Sequence, residues 1–340
     1  MNPDFTLLLR CPVTRQSLHL EQIMTGRVTR QEFVSEDGMH RYPIVDGIPR
    51  FVPASNYADN FGMQWNRFRK TQLDSHSGHP ISADRFWKAT GWSPSKLKGK
   101  WVLDVGCGAG RFAEVALDAG AHLVALDYSS AVDACKANLG TYPNLHIVQA
   151  DIYALPFACE KFDFVYSLGV LQHTPNVEAA FSALPPMVKW GGRLCVDYYW
   201  KRLRTLLHAK YIFRPFTKGM PQDKLFMYLE RYVPAMLAAS RTLGRVPLIG
   251  RVLKRILPVA DYTGIFPLSE QQLREWALLD TFDMLAPAYD SPQTIETAGR
   301  WFHEAGFVGV EVLHAGHLVA RGCKPSVPTG TGAELLIATS

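Results

Sequence analysis

Residues 101–116 read WVLDVGCGAGRFAEVA, and this stretch decides the fold. A short apolar run ends in Asp104, a glycine-rich turn follows, and an amphipathic helical pattern begins after the turn. The glycines stand at alternate positions: Gly106, Gly108 and Gly110. Strand, glycine turn and helix predict a doubly wound α/β domain, whose ligand site lies at the carboxyl ends of the strands. Glycine lets the backbone approach a ligand closely, because no Cβ intervenes.

The glycine spacing separates two classes of nucleotide ligand. A dinucleotide fingerprint is G-x-G-x-x-G, whereas this turn is G-x-G-x-G with Arg111 in the place of the third dinucleotide glycine. Asp104 suits a cationic or amine-bearing ligand better than a diphosphate. The stretch resembles the first motif of class I S-adenosylmethionine-dependent methyltransferases. The resemblance implies S-adenosylmethionine as cofactor, contacted by Asp104 and the three glycines. A nicotinamide-dependent oxidoreductase is the alternative at this point.

Two later segments extend the resemblance. AHLVALDYS predicts a second strand ending in Asp127, which is placed to accept hydrogen bonds from ribose hydroxyls, with Tyr128 against the adenine. QADIYALPFACEKFDFVYSLGVLQH resembles the methyltransferase pattern of an acidic residue beside the adenine, a Leu-Pro-Phe and an apolar fourth strand. The resemblance implies cofactor contacts from Asp151, Ile152 and Leu168. Taken singly, each carboxylate is equally typical of a solvated loop or a helix cap.

The segment after the fourth strand, SLGVLQH, narrows the class of acceptor. It replaces the Asn/Asp-Pro-Pro-aromatic run of methyltransferases that act on adenine or cytosine amino groups, and no Pro-Cys dipeptide occurs in the chain. The arrangement resembles small-molecule methyltransferases such as the quinone-biosynthesis group. His173 is then the candidate base, because histidine titrates near ~6.5; the alternative is a structural loop residue. Candidate acceptor contacts are Tyr198, Tyr199 and Tyr289.

The amino-terminal part, residues 1–53, predicts a small β-rich module. Cys11-Pro12 and the ending YPIVDGIPRFV resemble the zinc-ribbon-like domain that accompanies some methyltransferases, including the activating subunit of tRNA- and protein-methylating complexes. Metal-binding versions of that domain use cysteine pairs, whereas Cys11 stands alone with Thr14 in the second position. Four soft ligands cannot be assembled here, so we expect no metal.

Residues 54–99 predict a helical cap and a linker into the first strand. Phe61, Trp65 and Phe68 recur at helical spacing, which is typical of a helix packed on the core. Resemblance offers a second role, since methyltransferases often carry a helix that closes over the cofactor. Gln64 or Arg67 would then reach the methionine carboxylate, because arginine suits bidentate carboxylate contact.

Residues 200–296 interrupt the methyltransferase core, which is expected at 100–199 and 297–323 as a seven-stranded Rossmann-like sheet. This segment predicts a basic helical lid after the fifth strand: residues 198–260 hold thirteen Lys and Arg against two acidic residues, within a chain of net charge +5. A basic amphipathic segment is typical of contact with an anionic membrane or a lipid-like ligand. The alternative is a lid packed on its own domain. Residues 324–340 predict a flexible tail.

These observations predict methyl transfer to an oxygen of a small-molecule, glycan or lipid-linked acceptor. RNA or protein methylation and a non-catalytic adenosylmethionine-binding regulatory subunit are the alternatives, and the oligomeric state stays open. Six scattered cysteines fit a reducing compartment, no apolar run is long enough to span a membrane, and the amino terminus lacks the pattern of a signal peptide. We therefore expect a cytoplasmic protein.

Overall fold

The structure is a computed structural model that describes residues 2–25, 28–53, 58–202 and 209–326. The strands, in chain order, are β1 (Leu18–Thr25), β2 (Val28–Ser35), β3 (Arg41–Val45), β4 (Ile48–Pro49), β5 (Trp101–Val105), β6 (His122–Asp127), β7 (Leu145–Gln149), β8 (Phe162–Ser167), β9 (Val188–Tyr198), β10 (Val308–Ala315) and β11 (His317–Cys323). The helices of the first two thirds are α1 (Pro3–Leu8), α2 (Asp59–Arg67), α3 (Asp74–Ser77), α4 (Ile81–Thr90), α5 (Pro94–Leu97), α6 (Arg111–Asp118), α7 (Ala131–Leu139) and α8 (Val177–Ser182). The later helices are α9 (Ala209–Thr217), α10 (Gln222–Gly244), α11 (Gly250–Leu253), α12 (Glu270–Leu285) and α13 (Ile295–Glu304).

A seven-stranded mixed sheet forms the centre, in the order β10-β11-β9-β8-β5-β6-β7. β5 pairs in parallel with both β6 and β8, and β11 runs antiparallel between β9 and β10. The chain moves outward from β5 to β7 and returns on the other side at β8, so the strand order reverses between β5 and β8. This is the predicted doubly wound, Rossmann-like sheet, which is therefore confirmed. Ligands bind such sheets at the reversal point, outside the carboxyl ends of the strands.

The central strand β5 is buried on both faces, as parallel strands covered by helices are. Leu103 and Val105 belong to one apolar core, whereas Val102 belongs to the other. Successive side chains of a strand point to opposite faces. Asp104 therefore lies on the same face as Val102, inside the protein, where it is 2% exposed.

The amino-terminal module forms its own antiparallel sheet, β1-β2-β3-β4. Phe5 and Phe33 of this region share one apolar core with Val148 of β7, and Arg50 bridges to Gln149 at the edge of the main sheet. The lone Cys11 is buried and lies 3.2 Å from the Tyr42 hydroxyl. Among the described residues, no cluster of three His, Cys, Asp or Glu side chains is arranged to hold a metal ion.

The segment after β9 is helical, so the predicted insertion is confirmed. α10 and α12 share an apolar core that includes Leu229, Val233 and Phe282, and Phe68 at the end of α2 packs against it. No helix within the described ranges is long and apolar enough to cross a bilayer. Of the predicted tail, residues 327–340 lie outside the described part of the chain.

Candidate active site

A cavity of about 1270 Å³ lies at the carboxyl ends of the parallel strands. Its floor consists of residues that directly follow strands β5 to β9. Its roof comes from the insertion and its sides from α2 and α4. The floor includes Gly106, Gly108, Asp127, Tyr128, Ile152, Leu168 and Tyr199, and the roof and sides include Phe61, Trp65, Arg85, Tyr262, Phe266, Trp276 and Asp280. The cavity joins the two parts of the chain that the sequence assigns to cofactor and acceptor.

Two of the three predicted glycines form the floor of the cavity. Gly106 has φ +87°, and a Cβ there would lie 2.4 Å from the Val170 side chain. A Cβ on Gly108, which has φ +53°, would lie 3.2 Å from the Trp65 ring. Gly110 does not line the cavity: it precedes α6 with φ +96°, and a Cβ there would lie 2.6 Å from Leu139. Gly106 and Gly108 let Val170 and Trp65 pack closely on the floor of the cavity, whereas Gly110 serves the packing of α6 on Leu139.

Asp127 supports the glycine turn from below and also lines the cavity. Its Oδ2 accepts a hydrogen bond from the Gly108 N–H at 2.9 Å, and its Oδ1 accepts from the Ser129 N–H at 2.8 Å and from the Ser129 hydroxyl at 2.7 Å. Burial raises the pKa of Asp127 above its ordinary value. Because Oδ2 accepts a single hydrogen bond, it retains capacity for a ligand hydroxyl.

Asp104 and Asp151 are not among the residues that line the cavity, whereas Val105, Ala150 and Ile152 beside them are. Asp104 lies inside β5, where burial raises its pKa to about 8. Asp151 caps the short 3-10 helix Ile152–Ala154, its Oδ1 accepting the Tyr153 N–H at 3.0 Å. Ile152 itself does line the cavity, as does Leu168. Each of these two carboxylates is therefore next in sequence to a residue that lines the cavity.

Gln64 and Arg67 are likewise absent from the cavity wall. Positions four apart share a helix face, and α2 presents Phe61 and Trp65 to the cavity. Arg67 points instead to the insertion, where it pairs with Glu230 at 2.6 Å. Gln64 is 1% exposed and packed inside. The cavity-facing part of the cap helix is thus aromatic and carries no cation.

His173 lines the cavity and is 6% exposed. Its Nδ1 lies 3.1 Å from the carbonyl oxygen of Tyr289, so Nδ1 carries the proton and donates it to that carbonyl. Nε2 is buried and has no hydrogen-bond partner in the described part of the chain. The imidazole is flanked by Phe61 and Tyr199, each with ring centroids 5.4 Å away. This arrangement leaves the lone pair of Nε2 available to accept a proton.

The three predicted acceptor tyrosines have different surroundings. Tyr199 lines the cavity, and its hydroxyl donates to Asp283 at 3.3 Å. Tyr198 is fully buried in the core against Trp301 and does not reach the cavity. Adjacent strand residues face opposite ways, which explains this correction. Tyr289 contributes its backbone carbonyl to His173, and its side chain is absent from the wall.

The sequence analysis did not identify several charged residues of the cavity wall as site residues. Arg85 on α4 donates to Asp197 at 2.9 Å, and Arg111 begins α6 immediately after the glycine turn. Asp280 on α12 has its pKa raised to about 6 by burial, and His317 has its pKa lowered to about 4 by burial. Arg111 alone carried a local signal, because it directly follows the glycine motif. The others stand in helices or strands without any motif.

Comparison with known proteins identifies methyltransferases, in agreement with the motifs of the sequence. A family model described as a methyltransferase domain matches residues 103–196. A ubiquinone biosynthesis O-methyltransferase from Coxiella burnetii is 32% identical over 138 residues, which cover 39% of this chain and 59% of that relative. One of the same name from Xylella fastidiosa is 30% identical over 175 residues, which cover 49% of this chain and 67% of that relative. The chain thus spans little more than half the length of the Coxiella relative.

Among solved structures, human N-acetylserotonin methyltransferase in complex with S-adenosylmethionine is 14% identical, with a TM-score of 0.44. The match covers 81% of this chain and 60% of that chain. The overall likeness is loose, and the fold assignment rests on the strand order of the sheet.

Proposed function

Because the chain belongs to the class I S-adenosylmethionine-dependent methyltransferases, whose cofactor is S-adenosylmethionine, we propose that it methylates an oxygen of a small acceptor held beneath the insertion. The bound sulfonium supplies an activated methyl group. What remains for the protein is to hold the acceptor oxygen in line with it and to remove a proton.

The floor of the cavity has the donor set that this cofactor needs. Gly106 and Gly108 line the cavity and present backbone to the cofactor, and Asp127 retains an acceptor for a ribose hydroxyl. Ile152 and Leu168 supply apolar contact for the adenine. Arg85 takes the role first expected of Arg67: it lines the cavity beside Gly169, where a Cβ would lie 3.8 Å from its Nη2, and is placed to bind the methionine carboxylate.

The observation that carries the proposal is the environment of the Nε2 atom of His173. The His173 side chain lines the same cavity as the glycine turn, and its Nε2 is buried and lacks a hydrogen-bond partner among the described residues. The Tyr289 carbonyl fixes the tautomer in which this nitrogen accepts a proton. A hydroxyl acceptor loses its proton as the new C–O bond forms, and Nε2 receives it.

A lipid-linked acceptor is favoured by the mouth of the cavity. Val252 and Ile256 line the cavity and are 62% and 64% exposed. Next to them, Leu248 and Ile249 are also exposed. An apolar tail leaving the cavity would cross these side chains, and this surface would contact a membrane peripherally, beside the basic residues of the insertion. The matched relatives are named for ubiquinone biosynthesis, which agrees with such an acceptor.

We place the reaction in the cytoplasm, since all six cysteines are free thiols in the structure. RNA or protein methylation is the less favoured function, because aromatic side chains of the roof, Tyr262, Phe266 and Trp276, line the cavity.

A methyl-transfer assay tests the proposal. The protein is incubated with S-adenosylmethionine and, separately, with phenols and catechols carrying short prenyl tails, with a glycan mixture, and with total RNA; S-adenosylhomocysteine formation and methylated products are measured by mass spectrometry. We expect products whose oxygen is methylated, more readily with prenylated than with tail-free phenols. Methylation of RNA alone would contradict the proposal.

A further inference from the structure

Arg111 is a partly exposed cation in the cavity wall, and neutral side chains hold it in place. Its Nε donates to the Ser82 hydroxyl at 3.0 Å, and its Nη1 donates to the Gln72 side-chain carbonyl at 3.0 Å. Both partners are neutral. Among the described residues, no carboxylate lies within 4.0 Å of this guanidinium, and no atom accepts a hydrogen bond from its Nη2. Asp280 and Asp74 act on this cation only through their charge, without a direct ion pair. An anion placed directly on the guanidinium would therefore be bound favourably.

The neighbouring carboxylate is occupied by other donors. Asp280 accepts a hydrogen bond from the Gln72 amide at 3.0 Å and another from the Tyr262 hydroxyl. Gln72 therefore stands between Asp280 and Arg111 and keeps the two charges apart. Burial, followed by the charge of Arg85, lowers the pKa of Arg111 to about 10. The guanidinium stays charged at neutral pH.

Aromatic side chains surround this cation. The Arg111 guanidinium lies 5.3 Å from the ring centre of Trp276 and 5.1 Å from that of Phe112. Trp276 packs edge-on against Phe266 and Tyr262, with centroids 5.1 and 5.7 Å apart, and all of these rings line the cavity. The Trp276 indole is fixed by its hydrogen bond to the Thr71 carbonyl at 2.7 Å. The rings offer a flat apolar surface beside the cation.

Arg111 and Arg85 both lie close to the Phe112 ring, at 5.1 and 5.2 Å from its centre, but they have different partners. Arg85 is paired with Asp197, whose other oxygen accepts the Gly169 N–H, so it belongs to the sheet. Arg111 contacts Trp276 of the insertion. The first position suits the methionine end of the cofactor, and the second suits the acceptor.

We propose that Arg111 binds an anionic group, carboxylate or phosphate, on the methyl acceptor, whose flat apolar part lies against Trp276. This inference rests on the proposed function and names the acceptor class: an acidic molecule with an aromatic or similarly flat body. A guanidinium binds both oxyanions through paired N–H donors. The unused Nη2 supplies such donors in the cavity.

Binding measurements with three matched probes test this subsite. Benzoate, phenyl phosphate and neutral benzamide are titrated into the full chain with and without saturating S-adenosylhomocysteine, by calorimetry and by quenching of tryptophan fluorescence. The variants are Arg111→Met, Arg111→Lys, Arg85→Met for comparison of cofactor binding and, as a control on the exposed face of α12, Arg274→Met. Thermal unfolding and S-adenosylhomocysteine affinity report whether each variant folds.

We expect one of the two anions to bind the wild type about tenfold or more tightly than benzamide, as a charge-assisted hydrogen bond would give. Stronger binding of benzoate identifies a carboxylate acceptor, and stronger binding of phenyl phosphate a phosphorylated one. Arg111→Met should abolish the preference, Arg111→Lys should keep part of it, and Arg274→Met should leave it unchanged.

The inference is overturned if the wild type shows no preference for anions, or if the preference survives in Arg111→Met. It is also overturned if Arg111→Met weakens S-adenosylhomocysteine as strongly as Arg85→Met does, because Arg111 would then serve the cofactor. Failure of the wild type to bind S-adenosylhomocysteine would refute the proposed function instead, and the probe titrations without that ligand would still decide about Arg111.

Discussion

The floor and the roof of the cavity are built in different ways. The floor consists of short segments after parallel strands, where glycines and one carboxylate, Asp127, present mostly backbone to the ligand. The roof consists of long side chains on the helices of the insertion, among them Trp276 and Asp280. A floor of this kind suits a ligand shared by a whole family, whereas a roof of side chains changes readily with the acceptor. His173 stands where the two meet, because it follows β8 and takes its orientation from the Tyr289 carbonyl.

The largest expected effect is the loss of turnover when His173, between floor and roof, is replaced. His173→Ala should lower kcat by about 10²- to 10⁴-fold, the usual range for a general base, while S-adenosylhomocysteine affinity stays within twofold. Steady-state kinetics and calorimetry measure the two effects, with the exposed His303→Ala as control. Full turnover by His173→Ala would remove the base from the mechanism and leave floor and roof without a catalytic link.

The roof depends on a buried ion pair. Lys210 lies 2.7 Å from Asp290, with side chains 10% and 2% exposed. Lys210→Met should lower the free energy of unfolding by about 3–5 kcal/mol, because it leaves a buried carboxylate with poorer compensation. The matched control is Arg300→Met, which removes a pair that is 55% exposed on both sides and is expected to change stability by less than about 1 kcal/mol. Equal effects of the two substitutions in urea unfolding would contradict this account of the roof.

A substitution in the floor should change the affinity for the cofactor alone. Asp127→Ala should weaken S-adenosylhomocysteine binding by about 1.5–3 kcal/mol, the range for hydrogen bonds to a charged group. Calorimetry measures this, with the exposed Glu178→Ala as control. Unchanged affinity would show that the ribose does not lie at Asp127.

The smallest expected effect is that of replacing Arg67. It distinguishes the observed pairing of this residue with Glu230 from the cofactor contact expected from the sequence. Arg67 and Glu230 are 53% and 46% exposed, so Arg67→Met should change stability by at most about 1 kcal/mol. It should leave S-adenosylhomocysteine affinity unchanged, because the residue does not line the cavity. A tenfold loss of affinity would restore the first expectation, in which Arg67 binds the methionine carboxylate.

The different construction of floor and roof also explains which residues of the site could be predicted from the sequence. The sheet, the helical insertion, and the positions of Gly106, Gly108 and Asp127 followed from motifs, because strand, turn and helix are specified by neighbouring residues. Asp104 and Asp151 lie one residue away from the cavity lining, because strand alternation and a helix cap decide the direction of each side chain.

No sequence motif marked the residues of the roof as site residues. Trp276 and Asp280 reach the cavity because α12 packs on α10 through a core of residues far apart in the chain. Arg111 shows the limit most clearly: its position after the glycine turn was visible, but its neutral partners, Ser82 and Gln72, come together only in the fold. The choice between helix faces also decided that Phe61 and Trp65, and neither Gln64 nor Arg67, line the site.

A crystal structure of the full chain with S-adenosylhomocysteine and benzoate tests the central claim most directly. The account predicts the nucleoside over Gly106 and Gly108 with its ribose on Asp127, and the second ligand under Trp276, with His173 between them. Electron density for the nucleoside elsewhere, or an empty floor at concentrations that saturate related methyltransferases, would contradict it.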